Sequence, residues 1–466
     1  MRPEGRPGFD LAPPLIVIAA AGLGGVLQWT NGHYKPGAVL VVVAIWLLTL
    51  FATLGSVRLS ARFFEARAIV LVLALALAVQ LGLLVTEPPA MEMEGADAGQ
   101  RHLFDFLVVV ASLLVGLGVA GSEPLRTAPG EKRSRWSGLW FPALVVVHFV
   151  MGGLVIGFVR EPSIDVYVVE MDSARALLHG INPFGITFPD PYHGTSAYFP
   201  PGTSVDGRLM FGFVYPPLSL LLCLPGYILG GDTRWSMLVA LELAALLIAH
   251  ARPGKLAKLA AAAFLFMPRT FFVLSNAWTD SFVVLLTAAV CFSAMRKPRW
   301  LFVALGLYVC LKQHMFLGIP ALLMLLPRPL PWKQVGALTW KGGAVAAAVT
   351  IPFVLWGPHA FFHSVIDIRE MFRLDSLGVL AYLHNTGLAT PSKWTGLAAV
   401  IPLLALGLWR VPRTPGGFAL FAGATHFTLY LFSTHAFCNE YFNVIGALYC
   451  AVGLWGPVEA RALEAA

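Results

Sequence analysis

Charge is scarce in this chain of 466 residues: Asp, Glu, Lys and Arg together make up 12%, against about 25% in a soluble domain. A soluble chain of this length would divide into about three domains, whose surfaces need far more charge. A soluble multidomain enzyme, a disordered chain and a coiled coil are therefore excluded. Cysteine is scarce as well. The five cysteines (Cys223, Cys291, Cys310, Cys438, Cys450) form no CxxC and no metal-ligand spacing, so neither a disulfide framework nor a zinc site is expected. Alternation of polar and apolar residues is missing, which excludes an outer-membrane barrel. No repeat of 20–50 residues and no pair of inverted halves is visible.

What the chain has is apolar sequence: 58% hydrophobic residues and a mean hydropathy of +0.74. The fold class that remains is an all-α polytopic integral membrane protein. Runs long enough to cross a bilayer, or to do so while partly buried in protein, occupy 11–29, 37–55, 67–86, 103–121, 139–159, 235–250, 256–274, 278–294, 299–312, 314–327, 335–356, 395–410, 416–433 and 440–456. The net charge of +7 is spread over short loops, so it points to a positive-inside topology and not to nucleic acid.

Loop charge orients these about 14 spans. Arg58, Arg62 and Arg67 put 56–67 in the cytoplasm, and Glu87, Glu92, Glu94 and Asp97 put 87–101 outside. Arg126, Lys132, Arg133 and Arg135 return 122–138 to the inside, which leaves 160–210 outside. If 211–230 crossed, the basic loop Arg252/Lys255/Lys258 and all later loops would be inverted. That segment is therefore expected to stay on the outer surface, with both termini cytoplasmic in the cell (inner) membrane. The first span follows Arg2 and Arg6 without a convincing cleavage site and is read as a retained anchor. This divides the chain into an N-terminal four-helix extension (1–138), a membrane core (139–456) with a long outer loop (160–234), and a cytoplasmic tail (457–466).

The unusual polar residues collect in the outer loops. A helix over about 164–179 places Asp165, Asp172 and His179 on one face, and Gly180 with Asn182-Pro183 stops it. The plain alternative is a surface amphipathic helix with solvated carboxylates. Segment 185–212, rich in Gly, Pro, Tyr and Phe, suits a sugar or lipid head group or else a linker. Tyr215-Pro216-Pro217-Leu218 forms an extended lead into the next apolar segment. Asp280 opens a span. Lys312 and His314 sit between two short apolar segments, where ionisable groups suggest function, with snorkelling as the alternative. Loop 357–394 holds His359, His363, Asp367, Arg369, Glu370, Arg373 and Asp375, and loop 434–441 holds His435, Asn439, Glu440 and Tyr441.

Leu177-Leu178-His179-Gly180-Ile181-Asn182-Pro183-Phe184, preceded by Asp165 and followed by Tyr215-Pro216-Pro217-Leu218, resembles the first outer loop of the C-type glycosyltransferase superfamily. The nearest pattern is that of glycosyltransferase family 87, mannosyltransferases that use a polyprenyl-phosphate-linked sugar. Thr279-Asp280, Lys312-Gln313-His314 and Glu440-Tyr441-Phe442 resemble further outer motifs of that family, and the likeness covers about 139–456. The resemblance implies a hexosyltransferase with Asp165 as general base. Asp172, His179, Tyr215, Asp280, Lys312, His314, Arg369 and Tyr441 would contact substrate, with Lys312, His314 and Arg369 or Arg373 meeting the phosphate. It implies a polyprenyl-phosphate sugar donor, a glycolipid or glycan acceptor, the lipid bilayer as partner, no cofactor and no metal. No DxD is present, and Glu170-Met171-Asp172 is the one close acidic pair in the motif helix. A transporter or lipid flippase is the competing reading, resting on Glu242 in mid-span with His148 and His426. A non-catalytic scaffold is the third.

Overall fold

The computed structural model describes residues 9–10, 12–55, 58–59, 65–86, 96–125, 138–194, 199, 202–366, 374–389, 392, 394–434 and 436–455. Among these, seven helices are long and apolar enough to span a bilayer: Ala12–Thr30, Pro36–Leu54, Ala68–Thr86, Ala98–Ala120, Trp140–Phe158, Arg234–Ala251 and Trp332–Trp356. Large apolar residues stand exposed along them. Leu71, Leu75 and Val79 follow one another at one-turn spacing and are each more than half exposed. Water would not tolerate such a stripe, whereas lipid requires it. Trp332 and Trp356, both exposed, bracket the least buried of these helices, as aromatic residues do at the two membrane interfaces. The protein is a predominantly helical, multi-pass membrane protein.

The other seven predicted spans fall on shorter or broken elements. Run 256–274 divides into Lys255–Leu265 and Thr270–Ser275, because Pro268 intervenes and Arg269 takes a left-handed φ of 72°. Segment 299–312 yields only the helix Leu301–Val309, and 314–327 is a 3-10 helix over Gln313–Leu325. The helices Asp280–Arg296, Thr395–Arg410, Pro415–Leu431 and Cys438–Gly453 are 17, 16, 17 and 16 residues long. Pro415–Leu431 and Cys438–Gly453 are buried nearly throughout, which explains their apolar character on every side.

The first three N-terminal helices pack on this buried pair, and the fourth, Ala98–Ala120, packs beside them on Glu65–Thr86 and Trp140–Phe158. The Trp46 indole N–H donates to the Thr428 hydroxyl at 2.9 Å, and the Gln80 amide donates to the Tyr449 hydroxyl at 2.8 Å. At the tip of the first helical hairpin Gly32 has φ 83°, and a Cβ there would collide with the Cys438 backbone. Ala12 to Leu454 thus share one hydrophobic core. At one end of the bundle Lys258 binds Glu123 at 2.8 Å, and Lys255 donates to the carbonyls of Val119 and Gly121. Both lysines are buried, so they cap and neutralise where the loop charge alone suggested a solvated basic loop.

The opposite end carries the long loop. A second, smaller aromatic core lies there, around Phe184, Phe188, Phe213, Tyr215 and Phe361. It is roofed by a three-stranded antiparallel sheet in the order Phe188–Pro189, Arg208–Leu209, Ser204–Val205. The two-residue turn Asp206-Gly207, both at positive φ, closes the hairpin as a type I′ turn does. The helix Pro217–Gly230 belongs to this end on both flanks. Just before it, the Val214 carbonyl accepts from Gln313 at 2.7 Å. Just after it, Arg234 reaches the carbonyls of Val159 and Ser275.

Candidate functional site

Two polar constellations occupy the loop-rich end. The first is built on the helix Asp165–Leu178, close to the predicted 164–179. Asp165 sits in its first turn, where a carboxylate faces the positive end of the helix dipole. Ile164 offers no capping side chain. Instead the Tyr192 hydroxyl accepts the Asp165 N–H at 3.4 Å and donates to Asp165 Oδ1 at 3.2 Å. Two residues on, the Tyr167 ring lies under the Arg234 guanidinium, 4.9 Å away, and its hydroxyl donates to Arg160 O at 3.1 Å. Burial and then the Asp232 carboxylate push the Tyr167 phenol up to about 12. Arg234 is fully buried and pairs with Asp232 at 2.6 Å. It fastens three helix ends together through the Val159, Arg160 and Ser275 carbonyls.

Glu170, on the inner face of the same helix, is fully buried. Its Oε2 faces the Cys223 thiol at 3.9 Å, and its Oε1 has no partner among the described residues. Burial pushes the carboxyl well above the usual glutamate range; Lys312 pulls it down, while Asp232 and Asp280 add to the rise. Glu170 thus feels charges of both constellations.

The second constellation centres on Asp280, the first residue of Asp280–Arg296. Lys312 Nζ lies 2.8 Å from its Oδ2. Asn439 donates to Oδ2 at 3.2 Å and Asn443 to Oδ1. Lys312 also stands 5.3 Å over the Tyr215 ring, a cation–π distance. Lys312 lies in extended backbone between Leu301–Val309 and the 3-10 helix. The neighbouring Gln313 clamps the Tyr-Pro-Pro segment through Val214 O and Val365 O. His314 Nε2 meets the Tyr430 hydroxyl at 2.6 Å, with the His426 ring 5.5 Å away.

The structure therefore brings Tyr215, Asp280 and Lys312 together, with His314 adjoining them. The anion that Lys312 meets in the structure is Asp280, and both groups are buried. Asp172 pairs with Arg175 at 3.1 Å near the surface, and the exposed His179 bonds Arg175 O at 2.8 Å. Neither reaches the buried constellations through any of these contacts. Tyr441 is fully buried, and its hydroxyl donates to Leu377 O at 2.7 Å. Arg369, with Asp367, Glu370, Arg373 and His435, lies outside the described residues.

Sequence reasoning passed over Glu170 as a buried group, Tyr192, the Asp232–Arg234 clamp and Asn443. Charged and amide residues in otherwise apolar stretches were the available signal for all but Tyr192. Among the described residues no group of three or more His, Cys, Asp or Glu is placed to hold a metal ion. No protein family, curated protein or solved structure matches this chain.

Proposed function

We propose that the protein is a membrane glycosyltransferase. It moves a hexose, mannose favoured, from a polyprenyl-phosphate donor to an acceptor hydroxyl of a glycolipid or glycan. The observation that carries this reading is one gathering. Tyr215, Asp280 and Lys312, far apart in sequence, meet in a buried cluster. That cluster lies within electrostatic reach of Glu170, on the helix that Asp165 opens. In this reading the Asp165 carboxylate takes the acceptor proton as its oxygen attacks the sugar C1. The bond from C1 to the phosphate oxygen breaks on the opposite face, the electron pair leaves on the lipid phosphate, and the anomeric centre inverts. A placed base contributes about 10²–10⁴-fold. The departing phosphate competes with Asp280 for Lys312, which then opposes the growing charge in a site poor in water.

The reading includes 14 crossings, both termini cytoplasmic and the site outside. Pro217–Gly230 stays on the outer surface in it, supported by the contacts at both of its flanks. The extension 1–138 is carried beside the catalytic core.

One observation favours the transporter or flippase reading. His148 Nδ1 lies 2.6 Å from Glu242 Oε1, and both residues are buried in mid-span, a hallmark of ion paths. His426, however, joins His314 and Tyr430, so these three groups do not gather around one path.

The test is transfer by the purified protein in lipid nanodiscs from a panel of labelled polyprenyl-phosphate sugars. Wild type should transfer one of them, and Asp165→Asn should lose at least about 100-fold while staying folded. Retention of more than about a tenth of the rate removes Asp165 as the base. No transfer from any donor removes the glycosyltransferase reading.

A further inference from the structure

The described residues between the Asp165 helix and Tyr215 form a hydrogen-bonded turn beside a small sheet. Asp190 organises it. Its Oδ1 accepts the Tyr192 N–H at 2.9 Å, and its Oδ2 accepts the Gly194 N–H at 2.9 Å and the Ser204 hydroxyl at 2.5 Å. Its own N–H donates to Gly207 O at 2.9 Å. An aspartate that closes a turn on backbone N–H groups is a recurrent loop lock, and here the lock is bolted to the Asp206-Gly207 hairpin. Burial alone would raise the Asp190 carboxyl, but these donors outweigh it and hold the group below its usual value. The Tyr192 ring is fixed in turn by Phe199, 5.8 Å away, which stands 6.1 Å from the buried Phe211.

What this rigid turn presents is one hydroxyl. The Tyr192 oxygen both accepts from the Asp165 backbone and donates to the Asp165 carboxylate. An aspartate at the start of a helix has several rotamers open to it. The Val166 N–H holds Oδ1 from the helix side at 2.9 Å, and the Tyr192 hydroxyl, tied to the Asp165 backbone, holds the same oxygen from the loop side at 3.2 Å; together they select one of them. Asp165 is only half-buried, so packing alone does not make that selection.

We infer that Tyr192 is the positioning residue for Asp165: the hairpin-anchored turn holds the carboxylate in one orientation for the acceptor hydroxyl. The inference rests on the reading of Asp165 as general base. Orientation acts on the rate of reaction of bound substrate more than on its binding. Loss of the phenol should therefore be read in kcat.

Tyr192→Phe keeps the ring against Phe199 and removes only the hydroxyl. Infrared difference spectra isolate the Asp165 carboxylate band by subtraction of the Asp165→Asn spectrum. In Tyr192→Phe that band should shift in frequency, with the melting temperature unchanged. With labelled decaprenyl phosphomannose as donor and octyl mannoside as acceptor, kcat should fall about tenfold, the worth of one hydrogen bond to a charged group. Both KM values should stay within about twofold, as expected when only orientation is lost. If the Phe variant does not fold, Asp190→Ala, which frees the turn with the phenol intact, should move the same band. An unmoved band overturns the inference. So does an unchanged kcat while Asp165→Asn is inactive. If wild type transfers from no donor of the panel above, the glycosyltransferase reading falls, and the infrared band alone decides whether Tyr192 holds Asp165.

Discussion

Lys312→Met separates packing from chemistry. Lys312 Nζ stands 2.8 Å from Asp280 Oδ2, with side chains 4% and 1% exposed. At an effective dielectric of about 20 the attraction across that gap is about 6 kcal/mol. Desolvation of two ions costs several kcal/mol each, so the intact pair contributes little net stability. Breaking it is different, because methionine leaves Asp280 buried and uncompensated, which costs about 3–5 kcal/mol. Asn439 and Asn443 still donate to that carboxylate and soften the loss, so the expected value is near the lower limit, about 3 kcal/mol. In Lys312→Met/Asp280→Asn both charges are gone, and stability should return to within about 1 kcal/mol of wild type. The assay is equilibrium unfolding of four proteins in mixed micelles: wild type, the two single variants and the double variant. The coupling between the sites should be about 2 kcal/mol or more. A Lys312→Met variant within about 0.5 kcal/mol of wild type, with no coupling, refutes the argument. The refolded double variant then reads chemistry alone. It should transfer sugar poorly, since no cation opposes the leaving phosphate. Full transfer would assign Lys312 a purely structural part.

Two further outcomes are expected. Glu170 has a folded-state pKa raised by burial, so above the unfolded value of about 4.3 the folded state binds more protons and stability declines as pH rises. Melting temperatures of wild type should therefore fall more steeply from pH 5 to 8 than those of Glu170→Gln; parallel slopes would show that Glu170 does not titrate differently on folding. Single cysteines at positions 97 and 375 should be labelled by an impermeant reagent from outside in whole cells, and one at 297 only after permeabilisation. Outside labelling at 254–258 would overturn the assignment of Pro217–Gly230 to the outer surface.

The positions of helices were largely legible, because a span announces itself by a long apolar run whatever it packs against. Asp165–Leu178 was legible too, from its spacing and from Gly180. Breaks within runs were not. Arg269, at the break in 256–274, takes a left-handed φ, and its guanidinium reaches Gln28 O, 241 positions away, a contact that no local pattern records. Met267-Pro268 was the one sequence clue. Lys312 illustrates the limit for the site. Lys312 and Asp280 were each singled out for substrate, and no local pattern records that, 32 positions apart, they meet each other. Asp206-Gly207 is a strong hairpin signal that the glycine- and proline-rich composition of 185–212 obscured.

The bonds from Trp46 to Thr428 and from Gln80 to Tyr449 have a consequence for biosynthesis. A ribosome delivers the second and third helices hundreds of residues before their partners. Throughout that interval the Gln80 amide is in the membrane without the hydroxyl that satisfies it in the finished protein, an arrangement that costs free energy. The early helices therefore form a provisional hairpin stack, open on the side that the last two helices will close. Synthesis from the N-terminus usually lets early units finish first; here the earliest segment is among the last to be completed. A chain halted before residue 415 would present that open side, with its buried amide, to whatever machinery surveys unfinished membrane proteins.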